Sequence, residues 1–216
     1  MKKLFLAFAL FGLISIGTLN AQKVFTGIIE YEITYPDTEV NPMIAAYLPS
    51  SSILTIGENK CKTIQATSAI TTMVIIDGNE SLYHILISAM GQKYRAKEII
   101  DTEELNSNKP QLVPIIGETK NIAGYDCVKT EVIVGSGDNK TSYYGYFNKD
   151  IYNPIYALAG DLGTEGIPLE LEINLGEIKM KMTAKKVKQS KIKDSEFNIP
   201  DGYTEVSMDA LQGLGM

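Results

Sequence analysis

The chain is poor in the side chains that most often do chemistry. It has one histidine and two cysteines among 216 residues. A structural zinc site takes four such ligands at short spacing, and Cys61, His84 and Cys127 do not supply that pattern. A Ser-His-Asp arrangement needs a histidine held by a carboxylate and facing a nucleophile. His84 instead alternates with Leu82 and Leu86 in an apolar stretch and reads as a structural residue. Basic residues are also short: 20 Lys and Arg stand against 26 Asp and Glu, a formal charge of −6. Nucleic-acid binding calls for a basic footprint, which this balance disfavours. No apolar run beyond the first residues approaches the length of a membrane-spanning helix.

The start of the chain sets the expected compartment. Lys2 and Lys3 precede an apolar run from Leu4 to Ile16, and Leu19-Asn20-Ala21 offers a small-residue cleavage site before Gln22. That is the pattern of a cleaved secretory signal peptide, residues 1–21. No cysteine stands at the site to take a lipid anchor. The remainder, 22–216, has the length of one domain, expected in the periplasm or outside the cell with no transmembrane segment. An oxidising compartment allows a Cys61–Cys127 disulfide. If successive hairpins follow one another across a sheet, several strands at about 4.8 Å each part the two residues, beyond the roughly 7 Å Cα limit. Curvature would shorten that distance, so a bridge and two free thiols both remain open.

The repeat along the chain is two residues rather than 3.6. Phe25, Ile29, Tyr31, Ile33 and Tyr35 share one face of a first strand, with Glu30, Glu32 and Thr34 on the other. Pro42 to Leu48 reads as a short helix with Asn41 as its cap, or as an ordered loop. Hairpins are expected around 57–60 and around Asp77-Gly78-Asn79-Glu80, because Asp-Gly accepts positive φ. Lys93 to Ile100 suggests a further strand and Asp101 to Leu105 a helical turn. Val128, Thr130, Val132 and Val134 form an expected inward set, with Cys127, Lys129 and Glu131 facing away. Asn148 to Gly166 reads as irregular. The last hairpin is the cleanest: a Gly176-Glu177 turn sets Ile173 opposite Met180 and Glu172 opposite Lys181, so pattern and charge agree. Val206 to Leu214 is a weakly amphipathic tail.

Four segments occur in an order that carries a resemblance. They are Gly27-Ile28-Ile29-Glu30-Tyr31, then Glu118 to Cys127 with Ile122-Ala123-Gly124-Tyr125, then Gly166-Ile167-Pro168-Leu169-Glu170, then Phe197-Asn198-Ile199-Pro200-Asp201-Gly202-Tyr203. Together they resemble an uncharacterised family of bacterial envelope proteins, similar to GLPGLI-type proteins and distantly to the LolA/LppX-like lipoprotein-carrier superfamily. The resemblance implies a mainly β fold of LolA-like type. That would be one curved antiparallel sheet, an unclosed barrel, with one or two short helices covering its hollow side. It implies no catalytic activity and no cofactor.

The expected function follows from that hollow. Met adapts its shape to variable apolar ligands, and a curved sheet has an interior that something must fill. Tyr31, Met73, Leu171, Met180 and Met182 are the expected wall residues of a non-enzymatic site for a lipid, an acyl chain or a lipidated protein. The alternative is an interaction module of the envelope with a filled core and a protein partner. Two further features read as surface: the Glu30/Glu32 and Glu170/Glu172 pairs as solvated faces, and the lysines from Lys179 to Lys193 as a charged edge strand.

Overall fold

The computed structural model describes residues 23–36, 42–107, 109–135, 140–158, 166–176 and 178–213. The expected signal peptide and its cleavage site lie outside them, as does Asn41. The described residues form twelve strands in one sheet: β1 (Gly27–Thr34), β2 (Ser51–Ile56), β3 (Lys60–Ala66), β4 (Ile70–Asp77), β5 (Leu82–Ala89), β6 (Gln92–Ile99), β7 (Gln111–Ile122), β8 (Tyr125–Val134), β9 (Thr141–Tyr152), β10 (Gly166–Leu175), β11 (Ile178–Gln189) and β12 (Thr204–Glu205). Three short helices accompany it: α1 (Pro42–Ala45), α2 (Thr102–Ser107) and α3 (Met208–Gly213), with 3₁₀ turns at Pro154–Leu158 and Asp194–Phe197.

Strand order is β12-β6-β5-β4-β3-β2-β1-β11-β10-β9-β8-β7. The outer strands β12 and β7 do not pair, so the sheet is mainly β, curved and unclosed. It is antiparallel throughout except where the two-residue β12 runs parallel to β6. The hairpin turns follow from local chemistry. Leu175 pairs with Ile178 across a two-residue corner in which Gly176 takes φ +63°. Ile173 faces Met180 and Glu172 faces Lys181, the expected register. At the β7–β8 corner Ile122 pairs with Tyr125, and both Ala123 (φ +50°) and Gly124 (φ +89°) are left-handed, a type I′ arrangement.

Three expectations need correction. The lysine-rich strand is not an edge: β11 is paired on both sides, by β1 and by β10. Its charges form cross-strand pairs, Lys185 with Glu32 at 2.7 Å, Lys186 with Glu30 at 2.9 Å and Lys181 with Glu172 at 2.9 Å. Second, β9 continues through Tyr152, so the first five residues of the stretch read as irregular are strand. Third, the inward set of β8 is only half right. Thr130 and Val132 are buried, but Val128 is 38% exposed while Cys127 is 0% exposed. A twisted strand at a curled end of the sheet shows different faces to the core along its length. Cys127 is covered where Ile122 and the hairpin tip join the main core.

The curl is pinned by charge. β7 comes within 8 Å of β11 between Cα atoms, although three strands separate them in the sheet order. Lys120 on β7 reaches Glu170 on β10 at 2.6 Å. Lys181 adds a contact at 3.0 Å and the Thr183 hydroxyl donates at 3.1 Å. Glu170 is 3% exposed, so it is no solvated surface group. Its burial pushes its pKa up, but the Lys120 and Lys181 ammoniums outweigh that and hold the carboxyl below its usual range.

The main core lies on one face of β1–β4 and the inner ends of β7–β10, plugged by Ile155 and Tyr156 of the 3₁₀ turn. Asn153 anchors that plug. It is wholly buried, donates to the Phe25 and Gly57 carbonyls at 2.8 and 2.9 Å, and accepts from the Ile155 N–H at 3.0 Å. The end of the chain wraps the sheet. After β11 it crosses the opposite face, where Ile192, Phe197, Ile199 and Tyr203 pack around Met73, Ile75 and Leu86. It then pairs as β12 and turns α3 back over the first face, burying Leu211 against Ile87 and Ala96.

Candidate functional site

Directly opposed residues of an antiparallel ladder point the same way. Tyr31 opposes Ala184, Ile33 opposes Met182, Met182 opposes Leu171, and Ile173 opposes Met180. Four of the five expected wall residues therefore share one face. The fifth does not. Passing from Ile29 to Leu54, Thr63, Val74 and Ile85 follows the Tyr31 face across the sheet. Met73 neighbours Val74 and so stands on the other face, under Phe197 and its neighbours.

An open volume lies on the Tyr31 face but further along, over β3, β4 and β5. It is a hollow of about 540 Å³ lined by Tyr47, Pro49, Gln65, Thr67, Ile70, Thr72, Tyr83, Ile85, Ile87, Met208 and Leu211. Its floor comes from the strands, one wall from the segment after α1, and its roof from α3. None of the five expected wall residues lines it. Tyr31 is buried in the main core, where its hydroxyl donates to the Pro168 carbonyl at 2.9 Å. Burial, with Tyr156 adding to it, raises that phenol well above its ordinary pKa. Leu171 is buried, and Met182 packs half-buried against the main core.

The hollow was missed for a physical reason. Its roof is α3, whose sequence reads as a weak tail, and its floor belongs to short strands whose two faces are both apolar. The usable signal was a cluster of polar side chains, Gln65 and Thr72 with Ser52 and Thr63 beside them, on the face that also carries Leu54, Val74, Ile85 and Ile87.

Among the described residues, no charged side chain, histidine or cysteine lines the hollow. His84 lies on the opposite face of β5, and burial together with Arg95 and Lys97 lowers its pKa. Both cysteines are free and buried. Burial pushes the Cys61 thiol up to about 12. Burial, with Asp126 nearby, pushes Cys127 up to about 11. Among the described residues no group of three or more His, Cys, Asp or Glu is placed to hold a metal ion. No described helix is long and apolar enough to cross a membrane.

No family profile matches the chain, and no curated protein matches its sequence. Among solved structures, LprF from Mycobacterium bovis aligns over 83% of this chain and 90% of its own, at 12% identity and a TM-score of 0.36. A likeness this slight supports no functional argument, and the description of the fold rests on the strand pairing itself.

Proposed function

We propose that this protein is a non-enzymatic binding protein of the cell envelope that holds an apolar ligand in the hollow beneath α3. One observation carries the reading: a hollow of about 540 Å³, lined mainly by Ile, Met, Leu, Tyr and Pro side chains. Ligand sites are concave, mostly apolar, and run from about 300 to 1,000 Å³. An envelope location rests on the signal-peptide pattern of residues 1–21. Among the described residues the lining offers no general base and no activated nucleophile, which favours binding over catalysis.

Native mass spectrometry after gentle purification, with titration of a fluorescent fatty acid, tests the proposal. A bound apolar molecule is expected, displaced by the dye. Ile85→Trp fills the hollow and is expected to abolish dye binding while leaving the melting curve of a folded protein. If wild type and Ile85→Trp take up the dye equally, the hollow is not the site.

A further inference from the structure

The hollow is not uniformly apolar, and its polar groups are gathered at one end. Gln65 opposes Thr72 across β3 and β4, beside the turn between them, and Thr72 opposes Ile87 on β5. Two residues further along β5, the floor is Ile85, and two beyond that is Tyr83, which packs against the main core. Apart from the Tyr47 hydroxyl, on a wall residue that is 54% exposed, the other polar side chains of the lining are already engaged. The Thr67 hydroxyl closes its own turn, donating to the Ile70 carbonyl at 3.2 Å and accepting from the Ala69 and Ile70 N–H groups at 3.1 and 2.9 Å. The Tyr83 hydroxyl donates to the Glu98 carboxylate at 3.2 Å. Gln65 and Thr72 therefore remain as the polar pair that faces a ligand.

Resting on the proposed binding function, we infer that the hollow takes one single-chain amphiphile with an uncharged, hydrogen-bonding head. The head lies against Gln65 and Thr72, and the chain runs over Ile85 toward Tyr83 beneath Met208 and Leu211. Size sets the chain count. At roughly 30 Å³ per methylene-sized group, the share of one water in the liquid, about 540 Å³ holds about 18 groups. That is about one palmitoyl chain, with a glycerol-sized head reaching the open rim beside half-buried Gln65 and Thr72, and a two- or three-chain lipid does not fit. Charge sets the head. An ion placed in the hollow without a partner is disfavoured, and among the described residues no Lys or Arg lines it. The Glu98 carboxylate behind Tyr83 adds a negative charge at the far end, which disfavours an anion there as well.

The full chain, loaded with the hydrocarbon dye diphenylhexatriene, is titrated in turn with monopalmitoylglycerol, ionised palmitate and dipalmitoyl phosphatidylcholine. Monopalmitoylglycerol is expected to displace the dye at one molecule per chain and about tenfold more tightly than palmitate, with no displacement by the two-chain lipid. The double variant Gln65→Leu with Thr72→Val is expected to weaken monopalmitoylglycerol roughly tenfold, the loss of about one to two net hydrogen bonds. A cooperative melting curve shows that the variant folds, and its loss of dye affinity is expected to be smaller than its loss of monopalmitoylglycerol. Gln65→Lys is expected to reverse the preference in favour of palmitate. Equal binding of palmitate or the two-chain lipid overturns the inference while leaving an apolar-ligand site intact. So does an equal loss of dye and monopalmitoylglycerol in the double variant. A chain that binds neither the dye nor any lipid overturns the binding function itself.

Discussion

The clasp between Lys120 and Glu170 makes a measurable claim about how the sheet holds its curl. Three inter-strand steps of about 4.8 Å would part β7 from β10 by about 14 Å in a flat sheet. The observed ion pair at 2.6 Å joins them directly. Lys120→Met removes the ammonium and keeps the stem that lies by Tyr146, where the ammonium sits 5.5 Å from the ring centre. The expected cost sits between two limits. Exposed pairs contribute about 0.2–1 kcal/mol, while breaking a fully buried pair costs about 3–5 kcal/mol. Glu170 is buried, but the Lys120 side chain is 43% exposed and Glu170 keeps Lys181 as a partner. A loss of about 1–2 kcal/mol follows, or roughly 2–8 °C in Tm for a chain of this size. The sign with pH is fixed by Glu170, whose folded pKa is depressed. Its contribution is present above the unfolded carboxyl value of about 4.3 and is lost as pH falls through the folded value. Urea unfolding of wild type, Lys120→Met, Glu170→Gln and the double variant, at neutral pH and near pH 3, measures the coupling. Coupling of about 1 kcal/mol or more is expected at neutral pH, shrinking in acid. Single effects that add within about 0.3 kcal/mol at neutral pH would refute the clasp.

Asn153→Ala removes three buried hydrogen bonds and strands the Phe25 and Gly57 carbonyls and the Ile155 N–H. A loss of about 3–5 kcal/mol is expected in chemical unfolding, and a loss under about 1 kcal/mol would show that the plug does not depend on it. Ala123→Asn places a residue suited to positive φ in the type I′ corner and is expected to stabilise by about 0.5–1 kcal/mol; a lower Tm would contradict the turn assignment. Cys61 and Cys127, with thiols raised to about 12 and 11, are expected to resist iodoacetamide at neutral pH in the folded protein and to react together in urea. Rapid labelling of either in the folded chain would place it nearer solvent than the structure does.

Local features were the readable ones. The β10–β11 register follows from a two-residue turn and an alternating pattern, and Ile173 against Met180 needed no information from elsewhere in the chain. The same holds for the hairpin at 57–60 and for the helical turn after β6; the hairpin at 77–80 also forms, but its left-handed residue is Ser81 (φ +52°) rather than the Asp77-Gly78 pair. What could not be read were pairings between distant segments. The lysines of β11 look like a guarded edge until β1 is placed beside them, and Glu170 looks solvated until Lys120 arrives from β7. The hollow belongs to this class: its roof, Met208 and Leu211, is brought over Ile87 only because the chain has first travelled round the other face. Curvature was implied by the four-segment resemblance, but which ion pair fixes it was not.

The seam at the middle of the sheet has a kinetic consequence. Glu30 and Lys186 meet across it although 156 residues separate them. During synthesis β1 can zip to β2 early, yet its other side stays bare until almost the whole polypeptide has emerged. Such long-range closure is slow and leaves a sticky intermediate. Under the envelope location proposed above, that delay would help export: the ribbon does not lock early, because its keystone arrives nearly last.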